Sequence, residues 1–136
     1  MNKPDSLKVL RGINAMIEHC HAGIDHEISR IQSAIKNNDN PAPHARKIRD
    51  FRIRAEVFSA GKSVVENALN SESAIQTEPI QTELLSVQAS LEDARHTLKG
   101  MIGSDFELVP LSELISDLMV KETALQDLLD RVNATR

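Results

Sequence analysis

The sequence predicts an all-α protein, either an up-down four-helix bundle or a pair of helical hairpins that forms a bundle on dimerisation. Three observations lead to this class. Apolar residues recur at every third or fourth position in four separate segments. Short polar stretches rich in Asn, Ser, Pro or Gly separate these segments, which is typical of antiparallel neighbouring helices. The chain has three Phe and no Trp or Tyr, and such an aliphatic composition favours packed helices over a β-sandwich or barrel.

Length and composition narrow the possible classes further. A chain of 136 residues is expected to form one domain over residues 1–136. The net charge of −4 argues against general binding to nucleic acid. Cys20 is the only cysteine, so neither an intrachain disulfide nor a zinc site built from cysteines is expected. No stretch resembles a secretion signal or approaches a membrane span, which predicts a cytoplasmic protein that does not enter a membrane.

The first helix is predicted over about residues 6–37, with Asp5 or Ser6 as its N-cap. Its most regular apolar row has the spacing of a heptad seam: Leu7, Leu10, Asn14, Ile17, His21, Ile24, Ile28, Ile31 and Ile35. A helix cannot bury its own apolar row, so we expect the other helices to cover this seam. The turn-forming residues from Asn37 to Pro43 end the helix.

The second helix is predicted over about residues 43–70, where Gly61 should weaken it by about 1 kcal/mol relative to Ala. Its apolar series is Ile48, Phe51, Ala55, Phe58, Val65 and Leu69. Polar residues at 70–73 are expected to form a turn.

The third and fourth helices are predicted over about residues 78–103 and 110–133. The third has the cleanest apolar series, Ile80, Leu84, Val87, Leu91, Ala94, Leu98 and Met101. The fourth is expected to open at Pro110 and carries Leu111, Leu114, Leu118, Leu125, Leu129 and Val132. Between them, residues 104–109 are predicted to form a loop in which Phe106 and Leu108 fold back on the bundle end.

A cluster of possible metal ligands lies in the first helix: His19, Cys20, His21, Asp25, His26 and Glu27. On a helical projection, His19 and His26 fall nearly opposite the aliphatic row, and His21 and Cys20 fall on its two sides. Side chains that diverge cannot surround one ion, so we expect no metal and no cofactor. His21 is interpreted as a polar seam residue that selects register or partner.

A basic stretch follows the first loop. Between residues 44 and 62 the chain has six Lys or Arg and two Asp or Glu, a net +4, so the rest of the chain carries −8. Two interpretations remain open. The basic residues pair with the acidic third and fourth helices, or they form an exposed face that binds an acidic partner. The candidate partner-binding residues are Arg46, Arg49, Arg52 and Arg54.

The clearest chemical motif is His96-Thr97-Leu98-Lys99-Gly100 in the third predicted helix. It resembles the His-x-Leu-Lys-Gly phosphoacceptor motif of histidine-containing phosphotransfer (HPt) domains, which lies on a helix of a four-helix bundle. The resemblance implies that His96 accepts a phosphoryl group, that Lys99 steadies that group, and that Gly100 leaves room for a partner protein. The alternative is an exposed surface histidine without such a role.

These observations predict a non-enzymatic helical interaction or regulatory protein of adaptor, chaperone or inhibitor type. No nucleophile–base pair, metal set or phosphate-binding loop is identified, so no enzymatic activity is expected. Long amphipathic helices suit contacts with a protein partner, a homodimer or both. Additional apolar rows predict self-association: Val9, Ile13, Ile53, Val57 and Val64. The alternative function is an HPt-like phosphocarrier that uses His96, and a third is a nucleic-acid-associated regulator that uses Arg46–Arg54.

Overall fold

The computed structural model describes residues 3–100 and 108–134, which contain four helices and no strand. The helices are α1 (Lys3–Lys36), α2 (Ala42–Asn70), α3 (Glu78–Gly100) and α4 (Leu108–Asn133). The predicted all-α class is therefore confirmed. None of these helices is apolar over a length that would cross a membrane.

The bounds of the helices differ little from the prediction, with corrections at the starts of α1 and α4. Helix α1 already includes Lys3, so Asp5 lies in its first turn and Ser6 within the helix, and neither is the predicted N-cap. Helix α4 begins at Leu108 and includes Pro110 in its first turn, where a missing backbone N–H costs nothing. The predicted loop conformation of residues 108 and 109 is therefore wrong. The expected end of the third helix at residue 103 and the expected contact of Phe106 lie outside the described residues.

The helices pack in the spatial order α1, α2, α4, α3, with a smaller contact between α1 and α4. Chain direction alternates along the sequence, so α2 and α4 run parallel and both are antiparallel to α1 and α3. Two contacts show the parallel register: Arg49 meets Asp117, and Gly61 meets Leu128 further along both helices. Because α4 lies beside α2 in this order, α2 and α3 make little or no direct contact.

All four helices contribute to one aliphatic core. Ile13, Val65 and Val132 have no measurable solvent exposure, and Leu128 of α4 is 1% exposed. The α3 residues in this core are Ile80, Leu84 and Val87. Leu91 and Ala94 continue the same row and are buried, so the predicted inward face of α3 is confirmed from residue 80 to 94.

Helix α1 turns a different face inward from the one predicted. The buried row has a seven-residue spacing: Ser6, Ile13, Cys20, Glu27 and Ala34, with Val9 beside it. The predicted seam lies to one side of this row, and Leu7, Ile28 and Ile35 are 37%, 40% and 64% exposed. Since α1 packs along only one helix for most of its length, only a narrow row is covered. The row with the smaller side chains faces α2.

Each of the connections that follow α1 and α2 has a residue in the left-handed conformation at its second position. Asn38 follows α1 with φ 59°, and Glu72 follows α2 with φ 53°. The N–H of Asp39 donates to the Ala34 carbonyl over 2.7 Å, and that of Ser73 donates to the Ala68 carbonyl over 2.9 Å. This geometry satisfies carbonyls at each helix end. Asn adopts the left-handed region readily, whereas Glu does so at a cost.

Candidate functional site

A groove lies between α2 and α3, and α4 forms its floor. It exists because α2 and α3 both pack on α4 without closing on each other. Its volume is about 550 Å³. We call it the α2–α3 groove, defined by its lining residues Arg49, Ile53, Glu56, Val57, Ala60, Gly61, Val64, Pro79, Ile80, Glu83, Asp117, Leu118, Lys121, Leu125 and Leu128.

Most side chains of the groove are aliphatic. Ile53 and Val64 on the α2 wall and Leu118 on the floor are only half-buried, whereas Val57 and Leu125 are buried. The additional apolar residues from which self-association was predicted therefore differ in their exposure to solvent. Val9, Ile13 and Val57 are covered within one chain, while Ile53 and Val64 remain accessible in the groove.

Gly61 explains how α2 comes close enough to α4 to shape the floor. A Cβ atom at this position would lie 2.4 Å from Cδ2 of Leu128, which is inside van der Waals contact. The glycine that weakens α2 as an isolated helix thus allows close packing with α4. Sequence reasoning recognised only the cost.

An ion pair joins α3 and α4 on the α3 side of the groove. Nζ of Lys121 on α4 lies 2.9 Å from Oε1 of Glu83 on α3. Both side chains are partly exposed, so the pair orients the wall and contributes little to the free energy of unfolding.

The other end of the groove is formed by an ionic network between α2 and α4. Arg49 donates from Nε and Nη2 to Oδ2 of Asp117 over 2.9 and 2.6 Å. Nη1 of Arg46 lies 2.8 Å from Oδ1 of Asp117 and 3.7 Å from Glu113, and its Nη2 lies 2.7 Å from Asp50. These contacts anchor the start of α2 on α4.

The electrostatics of this network favour the charged forms. The hydrogen bonds from Arg49 lower the pKa of the Asp117 carboxyl most; partial burial opposes this effect, and Arg46 reinforces it. In return, the hydrogen bond to Asp117 and its charge raise the pKa of Arg49. Asp117 therefore stays ionised at neutral pH and is already occupied by two guanidinium groups.

Of the four arginines predicted to bind a partner, two are thus paired with α4, as the first interpretation of the basic stretch expected. Arg52 is exposed and lies on the wall of a smaller depression between α1 and α2. Arg54 is half-buried, and its guanidinium lies 5.7 Å from the centre of the Phe51 ring. The structure does not bring the four side chains together on one face.

Glu56 differs from the other charged residues that line the groove. Arg49, Glu83, Asp117 and Lys121 each form an ion pair. Glu56 is exposed and forms none with any described residue. It lines both the α2–α3 groove and the depression between α1 and α2, so it lies on the outer face of α2 between these two concave surfaces.

The residues of the HPt-like motif lie on the outer side of α3. His96 and Lys99 are exposed, and His96 projects about 140° from Leu91 of the buried row at about 100° per residue. A Cβ atom at Gly100 would meet no described heavy atom within 4 Å. These residues do not line the α2–α3 groove.

The histidines of α1 also lie away from one another. His19, His21 and His26 are exposed, whereas Cys20, which lies between His19 and His21 in the sequence, is buried. Among the described residues, no group of three His, Cys, Asp or Glu side chains is arranged to hold a metal ion. His19 instead contacts the edge of the Phe51 ring, with centroids 6.2 Å apart.

A buried hydrogen-bonded pair between α1 and α2 was missed by the sequence analysis. Nδ1 of His44 donates to Oε2 of Glu27 over 2.7 Å, and the Glu27 side chain is 7% exposed. Burial alone would raise the pKa of Glu27, but the hydrogen bond with His44 and the charges of Lys47, His44 and Arg30 act in the opposite direction and prevail. Only the seven-residue spacing of Glu27 with Ile13 and Cys20 indicated its position.

In comparisons with known proteins, no family model, no curated protein and no solved structure matches this chain. The geometry of the described residues is therefore the basis for inferring function.

Proposed function

We propose that this protein is a non-enzymatic helical interaction protein that binds an amphipathic helix of a protein partner in the α2–α3 groove. The observation that carries the proposal is the apolar groove itself, open to solvent between two helices that do not close on each other. From Arg49 to Val64 its α2 wall is about 22 Å long at about 1.5 Å per residue, which matches four turns of a docked helix.

The charges on the groove define the partner further. Four of the five charged lining residues are paired within the chain, which leaves the Glu56 carboxylate available. A complementary helix carries apolar residues at i, i+3 or i+4, and i+7, and places one Lys or Arg beside Glu56. The contact is of the helix-in-groove type, in which apolar anchors supply affinity and the flanking charge selects register.

A displayed library of amphipathic helices tests this proposal. Helices are selected against the intact protein and then measured against Ala60→Glu, which puts a charge on the exposed groove wall. Ala89→Glu is the matched control, because Ala89 is exposed on α3 and does not line the groove. We expect the first change to weaken binding by about tenfold or more and the second to leave it unchanged. Equal affinities for both variants would refute the groove as the binding site.

Self-association is a further part of the proposed function. Leu7, Ile28 and Ile35 are exposed members of an apolar row with heptad spacing on α1, and a second copy carries the same row. Exposed apolar rows of this length mark interfaces. In sedimentation experiments, Ile28→Glu should favour monomer, whereas Ala22→Glu, at an exposed position elsewhere on α1, should not. A wild-type protein that is monomeric across micromolar concentrations would contradict this part.

The second candidate function is the HPt-like phosphocarrier. It is favoured by the exposure of His96 and Lys99 on one helix and by the open space at Gly100. A phosphocarrier needs an accessible imidazole nitrogen and a nearby cation for the transferred charge. Incubation with phosphorylated receiver domains discriminates between the candidates. Acid-labile labelling that His96→Gln abolishes and His26→Gln preserves would establish the phosphocarrier, and the interaction protein predicts no labelling.

A further inference from the structure

A second concave site lies where α1, α2 and α4 meet. Its volume is about 510 Å³, and it shares no lining residue with the α2–α3 groove. We call it the arginine pocket; it includes Gly12, Met16, Cys20, Arg54, Phe58 and Arg131. A volume of this size suits a small organic molecule.

The pocket has two guanidinium groups available for a ligand. Arg54 comes from α2 and Arg131 from α4, and neither forms an ion pair with a described residue. Arg54 is held by its contact with the face of the Phe51 ring. Planar guanidinium groups with free N–H donors are well suited to bind a carboxylate.

Two glycines of α1 leave room for Arg131 and for the Phe51 ring to lie against the helix. A Cβ atom at Gly12 would lie 2.5 Å from Nη1 and 2.8 Å from Cδ of Arg131. A Cβ atom at Gly23 would lie 2.5 Å from Cζ of Phe51, the ring on which Arg54 rests. A glycine inside a helix is less favourable than Ala. The glycine at position 12 therefore leaves room for Arg131 itself, and the glycine at position 23 leaves room for the Phe51 ring that contacts Arg54.

The remaining lining residues determine the charge and polarity of the ligand. Ala15, Met16 and Phe58 provide apolar surface, and Asp127 provides one carboxylate. Burial raises the pKa of the Cys20 thiol, and the charge of Arg54 opposes this effect only in part, so the thiol adds no charge at neutral pH. Arg54, Arg131 and Asp127 together carry a net +1, which favours a monoanion over a phosphate dianion.

We propose that the arginine pocket binds a small organic monocarboxylate with an apolar body, whose carboxylate is held by Arg54 and Arg131. The apolar body lies against Met16 and Phe58. Binding at this site is independent of the helix proposed for the α2–α3 groove.

Three probes with the same apolar body test the charge requirement: 3-phenylpropionate, 3-phenylpropanol and 2-phenylethylamine. The readout is NMR of the intact protein labelled with ¹³C at its methionine methyl groups. Met16 lines the pocket, and Met119 is exposed on α4 outside it, so Met119 serves as an internal control. We expect 3-phenylpropionate to shift the Met16 signal at millimolar concentration, with the alcohol and the amine at least tenfold weaker.

Arginine variants test which groups hold the carboxylate. Arg54→Gln and Arg131→Gln should each weaken binding of 3-phenylpropionate by about tenfold, because each removes charge-assisted hydrogen bonds. Arg52→Gln is the control, since Arg52 is an exposed arginine of α2 outside the pocket. Circular dichroism verifies that each variant is folded. If Arg131→Gln does not fold, the comparison of Arg54→Gln with Arg52→Gln still decides the result.

Three outcomes would overturn the proposal. The first is the absence of a Met16 shift with 3-phenylpropionate at millimolar concentration. The second is equal binding of the three probes, or equal shifts of Met16 and Met119, which would indicate non-specific apolar contact. The third is unchanged binding in both Arg54→Gln and Arg131→Gln.

Discussion

Helices α1 and α3 are both edge helices with one main neighbour, yet they use their apolar residues differently. Helix α3 buries its regular row, including Leu84 and Leu91, and its outward face is mostly polar. Helix α1 buries Cys20 and Glu27 and leaves Ile28 and Ile35 exposed. An edge helix with one neighbour can cover only one narrow row. The surplus row on α1 is therefore available for another molecule, whereas the described outward face of α3 exposes Leu85 but no second apolar row.

The largest expected effect comes from removing side chains of the two rows. Leu91→Ala should lower the free energy of unfolding by about 2–5 kcal/mol, because Leu91 is 2% exposed. Ile28→Ala should cost less than about 1 kcal/mol in the monomer, since that side chain is 40% exposed. Urea denaturation measures both. Similar losses of unfolding free energy at the two positions would contradict the conclusion that α3 buries its regular apolar row and α1 does not.

The buried pair of Glu27 on α1 and His44 on α2 makes the free energy of unfolding depend on pH. The pKa of Glu27 is lowered from its ordinary value of 4.5, so the folded state favours the charged carboxylate. This contribution is fully present above pH 4.5 and is lost as the pH falls through the lowered value. Asp117 acts with the same sign.

Glu27→Gln should therefore reduce the loss of stability between about pH 6 and pH 3, when urea midpoints are compared with those of the wild type. Glu18→Gln, an exposed change on the same helix, should keep the wild-type dependence. A wild-type pH profile in Glu27→Gln would contradict the role assigned to the buried pair.

The smallest expected effect concerns the turn after α2. Glu72 has φ 53°, a region that side chains with Cβ adopt at a cost and that glycine adopts freely. Glu72→Gly should stabilise the protein by about 0.5–1 kcal/mol, measured as an increase in Tm. A decrease in Tm would indicate that the Glu72 side chain makes a contribution larger than this strain.

The sequence was sufficient for the fold class and for the face of α3, because α3 has a single aliphatic row and no competing alternative. Helix α1 has two rows, at Ile17 and Ile24 and at Ile13 and Cys20. Aliphatic content led the prediction to the first row. In the structure the second row is buried, because its side chains are small and Glu27 pairs with His44 of α2. Those factors depend on α2, so a pattern within α1 alone could not reveal them.

The groove was less predictable for a related reason. Amphipathicity identifies the apolar residues of α2, α3 and α4, but the groove arises from the spatial order of the helices. That order depends on contacts between distant residues, such as Arg49 with Asp117 and Gly61 with Leu128. The ion pairing of the basic stretch could be anticipated from its charge, whereas the weak contact between α2 and α3 could not.

The most direct test of the groove is photo-crosslinking. A photoreactive amino acid is placed at Ala60 in one protein and at Ala89 in another, and each is irradiated with a helix selected against the intact protein. Our account predicts a crosslinked product from position 60, at least tenfold more abundant than that from position 89. Equal crosslinking from both positions, or crosslinking from position 89 alone, would contradict the assignment of the α2–α3 groove as the site of helix binding.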